Sequence, residues 1–226
     1  MADSIKERLR RGDPIVAVSL AGDNPDLVEP LQRFGADLAF IDCERTGIGL
    51  DAATRIIRAA RACGLPSVVR SPSDDAATLV QFLDRKATGL VVPHVDTPAQ
   101  AAAVVELTRY ACGNDAVNRL VIVQIETRKA VACIDELAHV EGVDAFLIGP
   151  NDLAYDMNGR RGARTAETEQ ALDHVCARLA AAGRRFGMPS RLDELPSFRR
   201  RGCTLLYYPV EWLLERALGE LKAALG

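Results

Sequence analysis

Short apolar runs alternate with amphipathic stretches along the whole chain. The runs are Ile15–Leu20, Leu38–Asp42, Ser67–Arg70, Gly89–Pro93, Leu120–Glu126, Ala145–Gly149, a weaker one near Arg185–Met188, and Cys203–Tyr208. They lack the apolar–polar alternation of a half-exposed strand, so each predicts a strand covered on both faces, as in a parallel sheet. Between them, apolar residues recur at helical spacing. Leu27, Val28, Leu31 and Phe34 share one face of a helix opened by Asn24-Pro25-Asp26. Further helices are expected over Ser4–Arg11, Leu50–Ala62, Asp74–Leu83, Pro98–Arg109, Arg128–His139, Glu167–Ala182, Leu192–Arg200 and Trp212–Leu225. Eight strand–helix units on short links predict an α/β protein, a single (β/α)8 TIM barrel over residues 1–226. A doubly wound open sheet is the competing architecture. It would carry a glycine-rich first turn, and Leu20-Ala21-Gly22-Asp23 does not supply one.

Composition narrows the chemistry. With 28 basic and 31 acidic side chains, the formal charge of -3 gives no bulk attraction to nucleic acid. The basic run Arg199–Arg201 reads as a solvated helix end. Six scattered cysteines with no C-x-x-C pair read as reduced thiols of a cytoplasmic protein. The amphipathic start of the chain is not a secretory signal, and no apolar run approaches the roughly 18 residues that span a membrane.

In a barrel, chemistry belongs at the C-terminal ends of the strands. Those positions hold Asp42, Glu44 and Arg45 after the second strand, Arg70 at the end of the third and His94 after the fourth. Gln124 and Glu126 end the fifth strand, and Asn151 and Asp152 follow the sixth. So much charge at one rim is costly unless paired or used. A simple Arg70–Glu126 ion pair is the bland reading. The sharper one gives Glu126 and Asp152 to a hard divalent cation, Mg²⁺ or Mn²⁺ with Co²⁺ as a further choice, leaving positions for water and a bidentate 2-oxo acid. The cation would act as a Lewis acid on an enolate, and Arg70 would add positive charge at the developing oxyanion. The Gly149-Pro150-Asn151-Asp152 turn would aim backbone N–H groups at the substrate carboxylate. Other chemistries are poorly supplied. The three histidines have no zinc spacing, there is no G-x-S-x-G elbow or phosphate loop, and Cys43 has no neighbouring histidine to activate it.

The stretches FGADLAFIDCER, PSVVR, the helix ending in FLD, GLVVPHVDTPAQA, TRY, VQIETRKAV and VEGVDAFLIGPNDLAYDM cover most of Gly35 to Met157. On these, and above all on the paired QIET and IGPNDL motifs, the chain resembles the HpcH/HpaI family of metal-dependent pyruvate aldolases. The resemblance implies a (β/α)8 barrel with Glu126 and Asp152 as metal ligands and Arg70 on the pyruvyl oxygens. It also implies a homo-oligomer, a trimer or hexamer, in which the closing helix 212–225 is exchanged between subunits.

Two departures stand out. Where the family reads D-G-E-H, this chain reads Asp42-Cys43-Glu44-Arg45, so an arginine replaces the acid–base histidine, and arginine is a poor base. The acid expected to partner that histidine is Asp84, which predicts an Arg45–Asp84 ion pair. After Arg109-Tyr110 the family's proline/glycine-rich segment is shortened, which predicts a less enclosed substrate. The resulting expectation is a metal-dependent carbon–carbon lyase acting on pyruvate or oxaloacetate. Loss of carbon dioxide from oxaloacetate generates an enolate without a basic histidine, and Arg45 would then be free to bind a second carboxylate. A citrate-synthase-like condensing enzyme and a non-catalytic metal- and oxo-acid-binding barrel are the alternatives.

Overall fold

A computed structural model describes residues 3–225. Eight strands close into a barrel in chain order, each parallel to the next: β1 (Ile15–Ser19), β2 (Leu38–Asp42), β3 (Ser67–Arg70), β4 (Gly89–Val92), β5 (Leu120–Ile125), β6 (Ala145–Ile148), β7 (Phe186–Pro189) and β8 (Leu205–Pro209). Closure is made by β1 on β8, with Ile15 opposite Leu205 and Ser19 opposite Pro209. The expected (β/α)8 barrel is therefore the fold, and all eight strand runs appear within a residue or two of their sequence bounds.

Successive strand residues face opposite sides, which sorts the apolar runs into two layers. Phe40, Val68, Val91, Ile122 and Leu147 pack inside the barrel. Ile41, Val69, Val92, Val123 and Ile148 pack outward against the helices. Helix α1 (Ile5–Arg11) closes the N-terminal end of the barrel. A Ser4–Glu7 capping box opens α1, its Ile5 and Leu9 join the inner layer, and Lys6 pairs with Asp144 at 3.0 Å.

The outer layer is α2 (Val28–Arg33), α3 (Leu50–Cys63), α4 (Ala76–Asp84), α5 (Pro98–Cys112), α6 (Arg128–Ala132), α7 (Ile134–Ala138), α8 (Pro150–Asn158), α9 (Ala166–Ala181), α10 (Leu195–Arg200) and α11 (Val210–Ala224). Two differences from the sequence reading are informative. The helix expected over Arg128–His139 breaks at Cys133 (φ −100°, ψ 15°), which lets α6 bury Ala130 and α7 bury Ile134, Leu137 and Ala138. The Gly149–Asp152 turn is the first turn of α8, with Pro150 at its start, where the missing N–H costs nothing. The closing helix starts at Val210, buries only that residue, and leaves Leu213, Leu214, Leu218, Leu221 and Leu225 exposed.

Gly89 and Gly187 sit where neighbouring strands come closest. A Cβ on Gly187 would lie on the Leu205 carbonyl, and one on Gly89 would lie on that of Leu120. Since these are backbone atoms of paired strands, no rotamer change relieves the clash. Gly187→Ala is expected to lower unfolding free energy by about 2–3 kcal/mol, read from the urea midpoint. An unchanged midpoint would show that the β7–β8 spacing is less tight than described.

Candidate active site at the barrel mouth

The strand parity that fills the barrel also builds its mouth. One step beyond Phe40, Val68, Ile122 and Leu147 on the inward side lie Asp42, Arg70, Gln124 and Gly149, with Glu126 another step beyond Gln124. Most of the rim residues expected from the sequence therefore converge. A cavity of ≈ 210 Å³ is lined by Arg45, Arg70, Gln124, Gly149, Asn151 and Asp152, among others. A neighbouring one of ≈ 440 Å³ is lined by Arg45, His94, Glu126, Asp152, Asp156 and Arg161, among others. Arg45, Asp152 and Arg161 border both.

Charges alternate across the mouth. Arg70 donates Nε–H to Asp42 Oδ1 at 2.9 Å and Nη2–H to Asp42 Oδ2 at 2.5 Å, the fork geometry that arginine matches best. Its Nε also lies 3.2 Å from Glu44 Oε2. Arg45 continues the series, with Nε 3.3 Å from Glu44 Oε1 and Nη2 2.7 Å from Asp152 Oδ1. Arg161 ends it, Nε 3.1 Å from the same Asp152 oxygen. Burial works against the Arg70 charge, but the Asp42 hydrogen bonds and the nearby Asp42 and Glu44 carboxylates outweigh it, so this guanidinium holds its proton even more firmly than usual. Asp42 also accepts the backbone N–H groups of Glu44 and Arg45, both at 3.1 Å, and so fixes the turn that carries them.

Glu126 stands outside this series. It is buried, and burial pushes its carboxyl above the ordinary carboxylate range despite the His94 N–H it accepts at 2.9 Å. Its other oxygen accepts from the Gln124 amide. The His94 ring lies beside it, Nδ1 at 3.0 Å, on a side chain 57% exposed. His94 has φ 55°, a left-handed conformation uncommon outside glycine, asparagine, aspartate and histidine, and one often met at functional sites.

The oxygens present suit a hard divalent cation. Glu126 and Asp152 line one cavity, and Glu126 has no guanidinium partner among the described residues. Among those residues no group of three or more His, Cys, Asp or Glu is arranged to hold a metal ion by itself. A two-carboxylate site that leaves its other positions to water and substrate is the arrangement magnesium ordinarily uses.

Three sequence expectations are corrected. Within this chain Arg45 pairs with Glu44 and Asp152, not Asp84. Asp84 is the last residue of α4, and a helix that follows a barrel strand runs away from the mouth, so its end lies at the opposite face. Arg70 pairs with Asp42 and Glu44 rather than Glu126. The segment after Tyr110 leads into the N-terminal end of β5 and shares a cleft with Lys6 and Arg10 of α1, so within this chain it does not cover the mouth.

Other residues emerge only in three dimensions. Arg161 reaches Asp152 from the loop after α8, and no strand-end rule pointed to it. Tyr207 donates to Ser19 Oγ at 3.2 Å beneath the cavity, and burial raises its hydroxyl's pKa. Glu44 and His94, both visible at strand ends in the sequence, join the site. Cys43 does not: burial, with Asp42 beside it, pushes its thiol up to about 12, which removes the thiolate at neutral pH.

A closed (β/α)8 barrel with carboxylates and a clamped arginine at its mouth carries its polar cluster where barrels of this fold carry their active sites. Comparison with known proteins agrees. Residues 16–205 match the family model described as HpcH/HpaI aldolase/citrate lyase. A 4-hydroxy-2-oxovalerate aldolase of Novosphingobium aromaticivorans is 34% identical over 218 residues, covering 85% of this chain and 82% of the relative. A hydroxypyruvate/pyruvate aldolase of Deinococcus radiodurans is 28% identical over 251 aligned positions, covering 99% and 90%. The crystal structure of an HpcH/HpaI aldolase/citrate lyase family protein from Burkholderia cenocepacia J2315 superposes over the full length of both chains, with a TM-score of 0.89 at 27% identity. This chain belongs to the HpcH/HpaI aldolase/citrate lyase family, whose chemistry is that of aldolase-type carbon–carbon lyases.

Asp42→Asn, which keeps the shape but removes the charge that Arg70 faces, is expected to cost about 3 kcal/mol in a denaturant titration, because it leaves a half-buried guanidinium underpaired. Cys43→Ser is expected to leave turnover within about twofold, since no thiolate is available there. A large loss on Cys43→Ser would restore the thiol as a candidate nucleophile.

Proposed function

We propose that the chain is a divalent-metal-dependent lyase that cleaves or forms a carbon–carbon bond next to the keto group of a small 2-oxo acid, pyruvate or oxaloacetate being the simplest. The observation that carries this reading is the inward set at one end of the barrel: Arg70 held by Asp42, Gln124, and the first turn of α8 around one small cavity, with Glu126 and Asp152 beside it. The named aldolases among its relatives point the same way.

The residues divide the work. Asp42 uses the Nε–H of Arg70 and one N–H of its Nη2, which leaves Nη1, without a protein partner among the described residues, for a substrate oxygen. Gly149–Asn151 bring the backbone N–H end of α8 to the same cavity, where a carboxylate is favoured. A Cβ at Gly149 would meet Glu126 Oε2 at 2.9 Å, so this close approach needs glycine. Gln124 orients Glu126 through its amide. Glu126 and Asp152 would hold the cation, which when bound polarises the 2-oxo group as a Lewis acid. In cleavage the 4-hydroxyl passes its proton to the His94 imidazole and becomes a carbonyl as the C3–C4 bond breaks, and the electron pair of that bond forms the C2–C3 double bond of an enolate. The charge developing on the 2-oxygen is met by Arg70. C3 then takes up a proton, and of the three imidazoles only that of His94 faces the mouth. His139 follows α7 and His174 lies on α9, both exposed.

The exposed leucines of α11 lie at i, i+4 and i+7 from Leu214, which makes one apolar stripe beside an apolar groove lined by Leu192, Leu195, Leu206 and Trp212. We infer a homo-oligomer in which α11 covers, and is covered by, another copy. Its six free thiols suit a reducing compartment such as the cytoplasm.

Three measurements test the reading. With Mg²⁺ or Mn²⁺, the protein is expected to decarboxylate oxaloacetate or cleave a 4-hydroxy-2-oxo acid, and chelation or Glu126→Ala is expected to abolish this. Metal and oxalate binding without turnover on a broad panel of oxo acids would support the non-catalytic barrel instead. Arg70→Lys, which cannot keep the fork on Asp42 while offering a donor to substrate, is expected to lower kcat/KM by about 10²–10³. Leu218→Glu with Leu221→Glu is expected to reduce the mass in sedimentation to that of one 24.4 kDa chain, and an unchanged mass would move the interface elsewhere.

A further inference from the structure

The residue at position 45 does more than interrupt a family pattern. Arg45 is placed by the turn after β2, whose N–H groups bond to Asp42, and its guanidinium lies 2.7 Å from Asp152 Oδ1 while its Nε keeps Glu44 at 3.3 Å. Asp152 is one of the two carboxylates assigned to the cation, and the other, Glu126, takes no guanidinium. A guanidinium and a divalent cation cannot share one carboxylate oxygen without strong like-charge repulsion at contact distance. The Arg45 side chain is 38% exposed, so its contact with Asp152 can open toward solvent while Glu44 still holds it.

We propose that Arg45 is a built-in counter-ion that competes with the divalent cation for Asp152. In the metal-free chain it neutralises Asp152 at 2.7 Å, together with the more exposed Arg161 at 3.1 Å on the same oxygen. On loading it leaves Asp152 and stays with Glu44, so the affinity of the site for cation is lowered by the share of molecules in which Arg45 is bound. This inference rests on the assignment of Glu126 and Asp152 as the cation's ligands.

The test is Mn²⁺ affinity of the metal-free protein, measured by calorimetry and by the loss of the free Mn²⁺ paramagnetic resonance signal, with no substrate present. Arg45→Ala is expected to tighten Mn²⁺ binding by about tenfold or more, the usual size of coupling through a single charged contact. Arg45→Gln, which keeps most of the packing, serves if Arg45→Ala does not fold. Arg160→Ala removes an equal charge from an exposed neighbour that makes no ion pair with the mouth, and it is expected to change the affinity by less than about twofold. The metal-free variant is also expected to melt below wild type and to gain more from added Mn²⁺, since Glu44 and Asp152 then lack Arg45. Equal or weaker Mn²⁺ binding by both Arg45 variants, or a gain no larger than that of Arg160→Ala, would overturn the proposal. If wild type and the Arg45 variants all fail to bind Mn²⁺ at millimolar concentration, the metal assignment falls and takes this inference with it. If they bind equally, only the competition is lost.

Discussion

Glu126 is a carboxylate buried at the end of β5 with an amide, a backbone N–H and a largely exposed imidazole around it. Removing a carboxylate from water without a cation is unfavourable, and among the described residues no guanidinium or ammonium group pairs with it, only the His94 ring at 3.0 Å. Arg70 is committed to Asp42 and Glu44, and Arg45 and Arg161 to Asp152. The unbalanced charge therefore falls on the one residue whose position, inward and beside Asp152, suits a divalent cation. The layout of the mouth follows from that constraint, since Asp42, Glu44 and Asp152 are tied to Arg70, Arg45 and Arg161 in an alternating series that leaves Glu126 outside it.

The barrel makes this arrangement possible because the strands alternate with a period of two. The same inward parity that stacks Phe40, Val68, Ile122 and Leu147 in the interior brings Asp42, Arg70, Gln124 and Gly149 to one rim. Close strand contacts at Gly89 and Gly187 hold those rows in register. Packing and chemistry are thus set by one pattern, read at different heights along the strands.

Much of this was legible in the sequence. Unbroken apolar runs with helical spacing between them identified the eight units, and strand ends named Arg70, Gln124, Glu126 and Asp152. What was not legible depended on direction and distance. Asp84 looked like a partner for Arg45 because the family pairs those positions, yet α4 carries it to the far face of this chain. Arg161 comes from a loop whose course no periodicity specifies, and it reaches Asp152 only after α8 has turned back. The start of α8 read as a turn because Gly-Pro-Asn is turn chemistry, and the same residues serve equally well as a helix beginning. The break at Cys133 has no glycine or proline to announce it and follows from which faces of α6 and α7 find the core.

The replacement of an expected histidine by Arg45 ties these points together. It places a permanent positive charge against Asp152, and it leaves His94 as the imidazole at the mouth. The most direct measurement is a crystal structure of the protein soaked with Mn²⁺ and oxalate, using the anomalous signal of manganese. The account requires a manganese peak bridged by Glu126 and Asp152, oxalate within reach of Arg70, and the Arg45 guanidinium withdrawn from Asp152. Manganese absent from that position, with Arg45 still on Asp152 and oxalate elsewhere, would contradict it.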